Sequence, residues 1–92
     1  MSNLNEESNN FLSIKIIQSG DVKKILLNPE NLRKSFHEIF HILLKELNLK
    51  RKDTFLSNRM GKMIGIHDLS LSLEKIIQKF GYELRLYSEK IF

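Results

Sequence analysis

The chain has 92 residues, 41% hydrophobic and 28% charged, with a formal net charge of +4, which describes one domain built around one small core. It contains no cysteine, so disulfides, iron–sulfur clusters, thiol catalysis and cysteine-bound zinc are excluded together. The mild basicity permits nucleic-acid binding without requiring it.

The opening stretch, MSNLNEESNN, is polar and lacks the basic and apolar regions of a signal peptide. Residues 1–10 are expected to form a disordered N-terminal tail. No apolar run approaches the roughly 20 residues of a membrane span. The absence of disulfides favours a cytoplasmic, intracellular home.

Residues 11–17, FLSIKII, alternate. Leu12, Ile14 and Ile16 share one face, and Ser13 and Lys15 the other. QSGDV reads as a turn, with Gly20 free to take positive φ. VKKILL, residues 22–27, completes a hairpin. In NPEN, Asn28 can cap a helix and Pro29 suits its first position. Leu32, Phe36, Ile39, Phe40, Leu43 and Leu47 then form one apolar stripe. That stripe predicts one long helix of about five turns.

NLKRKD is a basic loop, TFLS (54–57) a short strand, NRMGK a turn at Gly61, and MIGI (63–66) another short strand. Asp68 or Ser70 is expected to cap a second helix carrying Leu73, Ile76, Ile77 and Phe80, with Gly81 as its stop. YELRLYS alternates again, placing Tyr82, Leu84 and Leu86 on one side. The order ββαββαβ predicts an α+β fold of the β-grasp kind, with a mixed sheet and one long helix packed across it. The last strand should lie parallel beside the first, because both then bury an apolar face under the helix. The domain is expected to span 11–88, leaving 89–92 as a short tail.

HEIFH, residues 37–41, matches H-E-x-x-H in form. Two histidines one turn apart can bind zinc while the glutamate activates water. A third ligand is needed, and only His67 and Glu74 offer one. The plainer reading, two histidines flanking the core stripe, is preferred, so no metal, cofactor or catalytic residue is expected. Lys50, Arg51, Lys52, Arg59 and Lys62 cluster in the middle of the chain. A solvated loop explains them best. Only Phe55 lies among them, and such thin aromatic interleaving argues against nucleic acid as a partner. TFLSNRMGK followed by SLSLEKIIQKFG also resembles the recognition helix and next helix of phage-repressor-like helix-turn-helix proteins. That likeness would imply a DNA-binding regulator, but it leaves the hairpin unused.

Gly61, Ile64-Gly65-Ile66 and Gly81-Tyr82-Glu83-Leu84-Arg85-Leu86 resemble the ubiquitin-fold modifier family, and the likeness runs over residues 12–88. It implies a ubiquitin-like β-grasp and a protein-directed role. Members of that family end in an exposed glycine, which an E1-like enzyme activates and a ligase joins to a target. Here the last residues are Ser88, Glu89, Lys90, Ile91 and Phe92, with no glycine after Gly81. The expected function is a protein–protein interaction module working without conjugation through a terminal glycine. Activation of an atypical C-terminus by an E1-like enzyme is the alternative. E1-like or ligase components are candidate partners, and no membrane partner is expected. An edge strand can accept an extended peptide, which directs attention to Lys23, Lys24, Ile25, Leu26, Arg33 and Lys34.

Overall fold

The computed structural model describes residues 10–89. The first hairpin pairs β1 (Phe11–Ile16) antiparallel with β2 (Val22–Leu26), in the register Leu12 opposite Ile25 and Ile14 opposite Lys23. Gly20 turns the chain at φ 81°. Two helices follow, α1 (Pro29–Arg33) and α2 (Phe36–Leu47). A 3-10 turn (Arg51–Asp53) leads into β3 (Thr54–Asn58), which pairs with the two-residue β4 (Met63–Ile64). A second 3-10 turn (Ile66–Ser70) precedes α3 (Leu73–Phe80), and β5 (Glu83–Ser88) closes the sheet.

The strand order is β2-β1-β5-β3-β4. β1 and β5 run parallel, Ile14 opposite Leu84 and Ile16 opposite Leu86, as the two alternating patterns require. β3 lies antiparallel on the far side of β5. One sheet face carries Leu12, Ile14, Ile16, Leu56, Leu84 and Leu86, all buried. Against it pack Phe36, Ile39, Phe40, Leu43 and Leu44 of α2 and Leu73, Ile76, Ile77 and Phe80 of α3. Among the described residues the other face carries no helix. This is a small α+β domain with a mixed five-stranded sheet.

The single long helix is corrected to two. Lys34 and Ser35 take extended conformations, with ψ near 149° and 148°. A tertiary strand-like bridge replaces the missing helical turn. Leu73 N–H donates to Lys34 C=O at 2.8 Å, and Phe36 N–H donates to Leu71 C=O at 2.7 Å. Ser35 then caps α2, its Oγ accepting from Glu38 N–H at 3.2 Å. Ser72, directly opposite in the bridge, caps α3 by accepting from Lys75 N–H. The apolar stripe runs on through the break because both helices face the same core.

Three smaller expectations are also corrected. Ser72 caps α3, rather than Asp68 or Ser70, because residues 66–70 are spent on the 3-10 turn. The strand expected at 63–66 stops at Ile64. Its Gly65 N–H instead donates to Asp68 Oδ2 at 2.9 Å, starting that turn. Tyr82 precedes β5 and is exposed, so it does not share the burial of Leu84 and Leu86.

Asn58 ties the β3–β4 turn to the end of α3. Its Oδ1 accepts from Met60 N–H at 3.0 Å and Lys62 N–H at 2.8 Å, and its Nδ2 donates to Phe80 C=O at 3.1 Å. The residue is buried. Asn58→Ala strands three backbone groups, and urea unfolding should register a loss of about 1–3 kcal/mol.

Asp68 supplies a pH-dependent contact. Its carboxylate accepts from Lys79 Nζ at 2.6 Å and from the Gly65 N–H. The Lys79 bond first, and then the Gly65 N–H, hold the carboxyl below its ordinary value, against a smaller opposing effect of burial. A carboxyl depressed on folding stabilises the fold above its unfolded pKa of about 3.9, and the contribution is lost as pH falls through the folded value. Lys79 is nearly half exposed, so screening keeps the gain to about 1 kcal/mol or less. Urea titrations of wild type and Asp68→Asn should differ at neutral pH and converge once pH drops well below 4, as both partners of that comparison become neutral at residue 68.

Candidate edge-strand groove

Among the described residues β2 is an edge strand, bonded only to β1. Its free side can be worked out from the ladder. Ile16 N–H donates to Asp21 C=O and Leu27 N–H to Asn10 C=O, so these positions face one another across the hairpin. Antiparallel pairs alternate in this respect. Lys23 and Ile25 therefore spend their backbone groups on Ile14 and Leu12. Val22, Lys24 and Leu26 direct theirs outward. Consistent with that, Leu26 C=O accepts from Asn31 Nδ2 at 2.8 Å, which closes one end of the edge.

Beside this edge runs a groove between β2 and α2, with a volume of about 290 Å3. Ile25, Ile39 and Leu43 give it an apolar floor, and Ile42, half exposed, rims it. Lys23, Lys34 and Glu46 supply its charge, so cations outnumber carboxylates. An extended segment with apolar side chains and acidic neighbours matches both features.

Of the six residues read from the sequence, Lys23, Lys24, Ile25, Leu26 and Lys34 line the groove, and Arg33 does not. Lys34 stands at the helix break, where it caps the end of α1 in an extended conformation. Lys24 and Leu26 contribute backbone alone. Their side chains lie on the opposite sheet face, as their pairing with Ser13 and Phe11 demands. Lys24 Nζ sits 5.8 Å from the centre of the Phe11 ring on that face. Sequence reading missed Asn31, Ile42 and Glu46. Ile42 carried a signal, being an apolar residue off the core stripe of its helix.

The remaining candidates are dispersed. His37 and His41 both lie on exposed parts of α2. Among the described residues no three of histidine, aspartate and glutamate gather where a metal could be held. Arg51 and Lys52 stand at the start of β3, and Arg59 and Lys62 beyond its end, so the strand divides the basic cluster. Thr54–Asn58, which a helix-turn-helix would need as helix, is a strand between β4 and β5. Ser88 ends β5 and its C=O accepts from Gln18 Nε2, while Glu89 N–H donates to Asp53 C=O at 2.7 Å. Lys90, Ile91 and Phe92 lie outside the described residues, as do residues 1–9 of the polar N-terminal stretch. Among the described residues no helix is long and apolar enough to cross a membrane.

The chain matches no family model, and no curated protein matches it.

The edge can be tested through backbone chemistry alone. Proline at position 24 removes an outward N–H, whereas proline at 23 removes a ladder donor. Lys23→Pro should cost about 1 kcal/mol more than Lys24→Pro, read as the difference between their urea midpoints.

Proposed function

We propose that this protein is a ubiquitin-like β-grasp interaction module that holds an extended peptide of a protein partner along β2. The observation that carries the reading is the outward backbone of Val22 and Lys24 beside an apolar groove rimmed by Lys23 and Lys34. A peptide laid there gains main-chain hydrogen bonds from the edge and burial from the groove. Lys23 and Lys34 select acidic neighbours in the peptide and repel basic ones. The strand order, the parallel central pair and the helices gathered on one face support the β-grasp assignment, and the resemblance to ubiquitin-fold modifiers points the same way. The module acts without covalent attachment.

The test is an NMR titration of the 15N-labelled chain with a synthetic peptide alternating valine and aspartate. Shifts should concentrate in Val22–Leu26 and along the Ile39–Glu46 side of α2. Lys24→Pro should abolish binding, and Lys23→Glu combined with Lys34→Glu should weaken it about tenfold or more. Unchanged binding by Lys24→Pro removes strand addition as the mode. Incubation with ATP and an E1-like enzyme should leave no thioester; one detected on a non-reducing gel would favour the conjugation reading instead.

A further inference from the structure

The helix-free face of the sheet has its own chemistry, and register alone lays it out in rows. One row runs Val22, Lys15, Arg85, Ser57 and Met63 across all five strands. The row on one side holds Lys24, Ser13 and Glu83, and Arg59 joins it by pairing with Glu83 at 3.5 Å. The row on the other side brings Tyr87 beside Phe55. Those rings stack, with centroids 4.9 Å apart and planes 10° off parallel. Phe55 is 40% exposed.

Lys15 and Arg85 are direct cross-strand neighbours. Like charges so placed oppose each other and weaken a sheet. Among the described residues neither is bonded to a carboxylate, since the ion pairs are Arg59 with Glu83 and Lys79 with Asp68. Ser13, Lys15, Arg59, Arg85 and the carboxylate of Glu83 surround a depression of about 340 Å3 on this face. Two unpaired cations, a third held by one exposed carboxylate, and a hydroxyl therefore converge beside an aromatic stack.

We infer that this face is a binding surface for single-stranded nucleic acid. The phosphate backbone tracks the Lys15–Arg85 row, with Arg59 flanking it, and an unpaired base extends the Phe55–Tyr87 stack. Arg85 and Tyr87 are two residues apart on one strand, a separation of about 7 Å. A phosphate held at Arg85 thus leaves its base within reach of the ring. A cationic track combined with exposed π-faces is the physical basis of sequence-tolerant single-strand binding. An acidic protein would satisfy the cations but leave the ring stack unused. A duplex would hide the base faces that the stack needs.

The linear sequence conceals this arrangement. Phe55 stands alone among its neighbours in the chain, and only β3–β5 pairing brings Tyr87 to it. The surface shares only β2 with the β2–α2 groove, and its Lys15–Arg85 row and Phe55–Tyr87 stack lie outside the groove, so either can fail without the other.

The test is fluorescence anisotropy of the full chain with a labelled oligothymidine or oligouridine strand of about 12 nucleotides, across roughly 50 to 200 mM salt. Binding should weaken linearly on a log–log salt plot. Arg85→Ala should lower the slope by about 0.7. Phe55→Ala should weaken affinity at least about fivefold with the slope unchanged. Lys45→Glu, which makes a charge change on exposed α2, should alter affinity far less than Lys15→Glu. Circular dichroism confirms that each variant is folded, and an unfolded Phe55→Ala is replaced by Phe55→Leu, which keeps bulk and loses the π-face. No binding at the lowest salt overturns the inference. So does equal affinity for duplex, or equal displacement by polyglutamate, which would make the face a surface for acidic protein.

Discussion

Strands from opposite ends of the described chain, β1 and β5, lie parallel at the centre of the sheet, and everything else is placed by that pairing. Each contributes its alternating apolar residues to the same face. Leu12, Ile14, Ile16, Leu84 and Leu86 together make a dry floor, and a floor this wide must be covered. Helices α2 and α3 cover it with their apolar sides, the Phe36 and Phe40 rings of α2 stacking 5.9 Å apart. Because the pairing is parallel, the connection between the two strands has to cross the sheet, which is what gathers the helices on one side. Among the described residues the opposite face is left without a covering helix.

The central pair also determines which strands become edges. β2 joins outside β1, and β3 with β4 outside β5. The two edges differ in kind. β4 has two residues and offers little to a visiting strand. β2 has five, with lysines at two of them. Lysines on an edge discourage pairing between identical basic copies, and they also favour an acidic visitor. The side chains that protect the edge are thus the same ones that the proposed acidic peptide would meet.

The break between α1 and α2 has consequences for the groove. A continuous helix would keep residues 34–36 bonded along its own axis. Bridging them to residues 71–73 instead fastens α2 to the start of α3, and the two serine caps sit face to face. Lys34, at the break, lines the groove, and Asn31 within α1 donates to the Leu26 carbonyl. Ser35 and Glu38 stand at the spacing of a capping box, serine followed three residues later by glutamate. That signal was present in the sequence but lay under an apolar stripe that crossed it unbroken.

Alternation and helical spacing are local properties, and the sequence by itself determined what depends on them. The Leu12–Ile14–Ile16 face, the Gly20 turn and the Gly81 stop follow from residues a few positions apart, and the parallel return of the last strand from two such local patterns that must bury their apolar faces together. Of the six residues read for the β2 edge, five line the groove: alternation places Lys23 and Ile25, whereas Lys24 and Leu26 border it through their backbone and Lys34 stands at a helix break the apolar stripe did not announce. The tertiary structure alone decided which backbone atoms of β2 point outward, since that depends on cross-strand register and cannot be read from one strand. It alone set Lys15 against Arg85 and Phe55 against Tyr87. Those juxtapositions join positions distant in the chain, and only the folded sheet makes them neighbours.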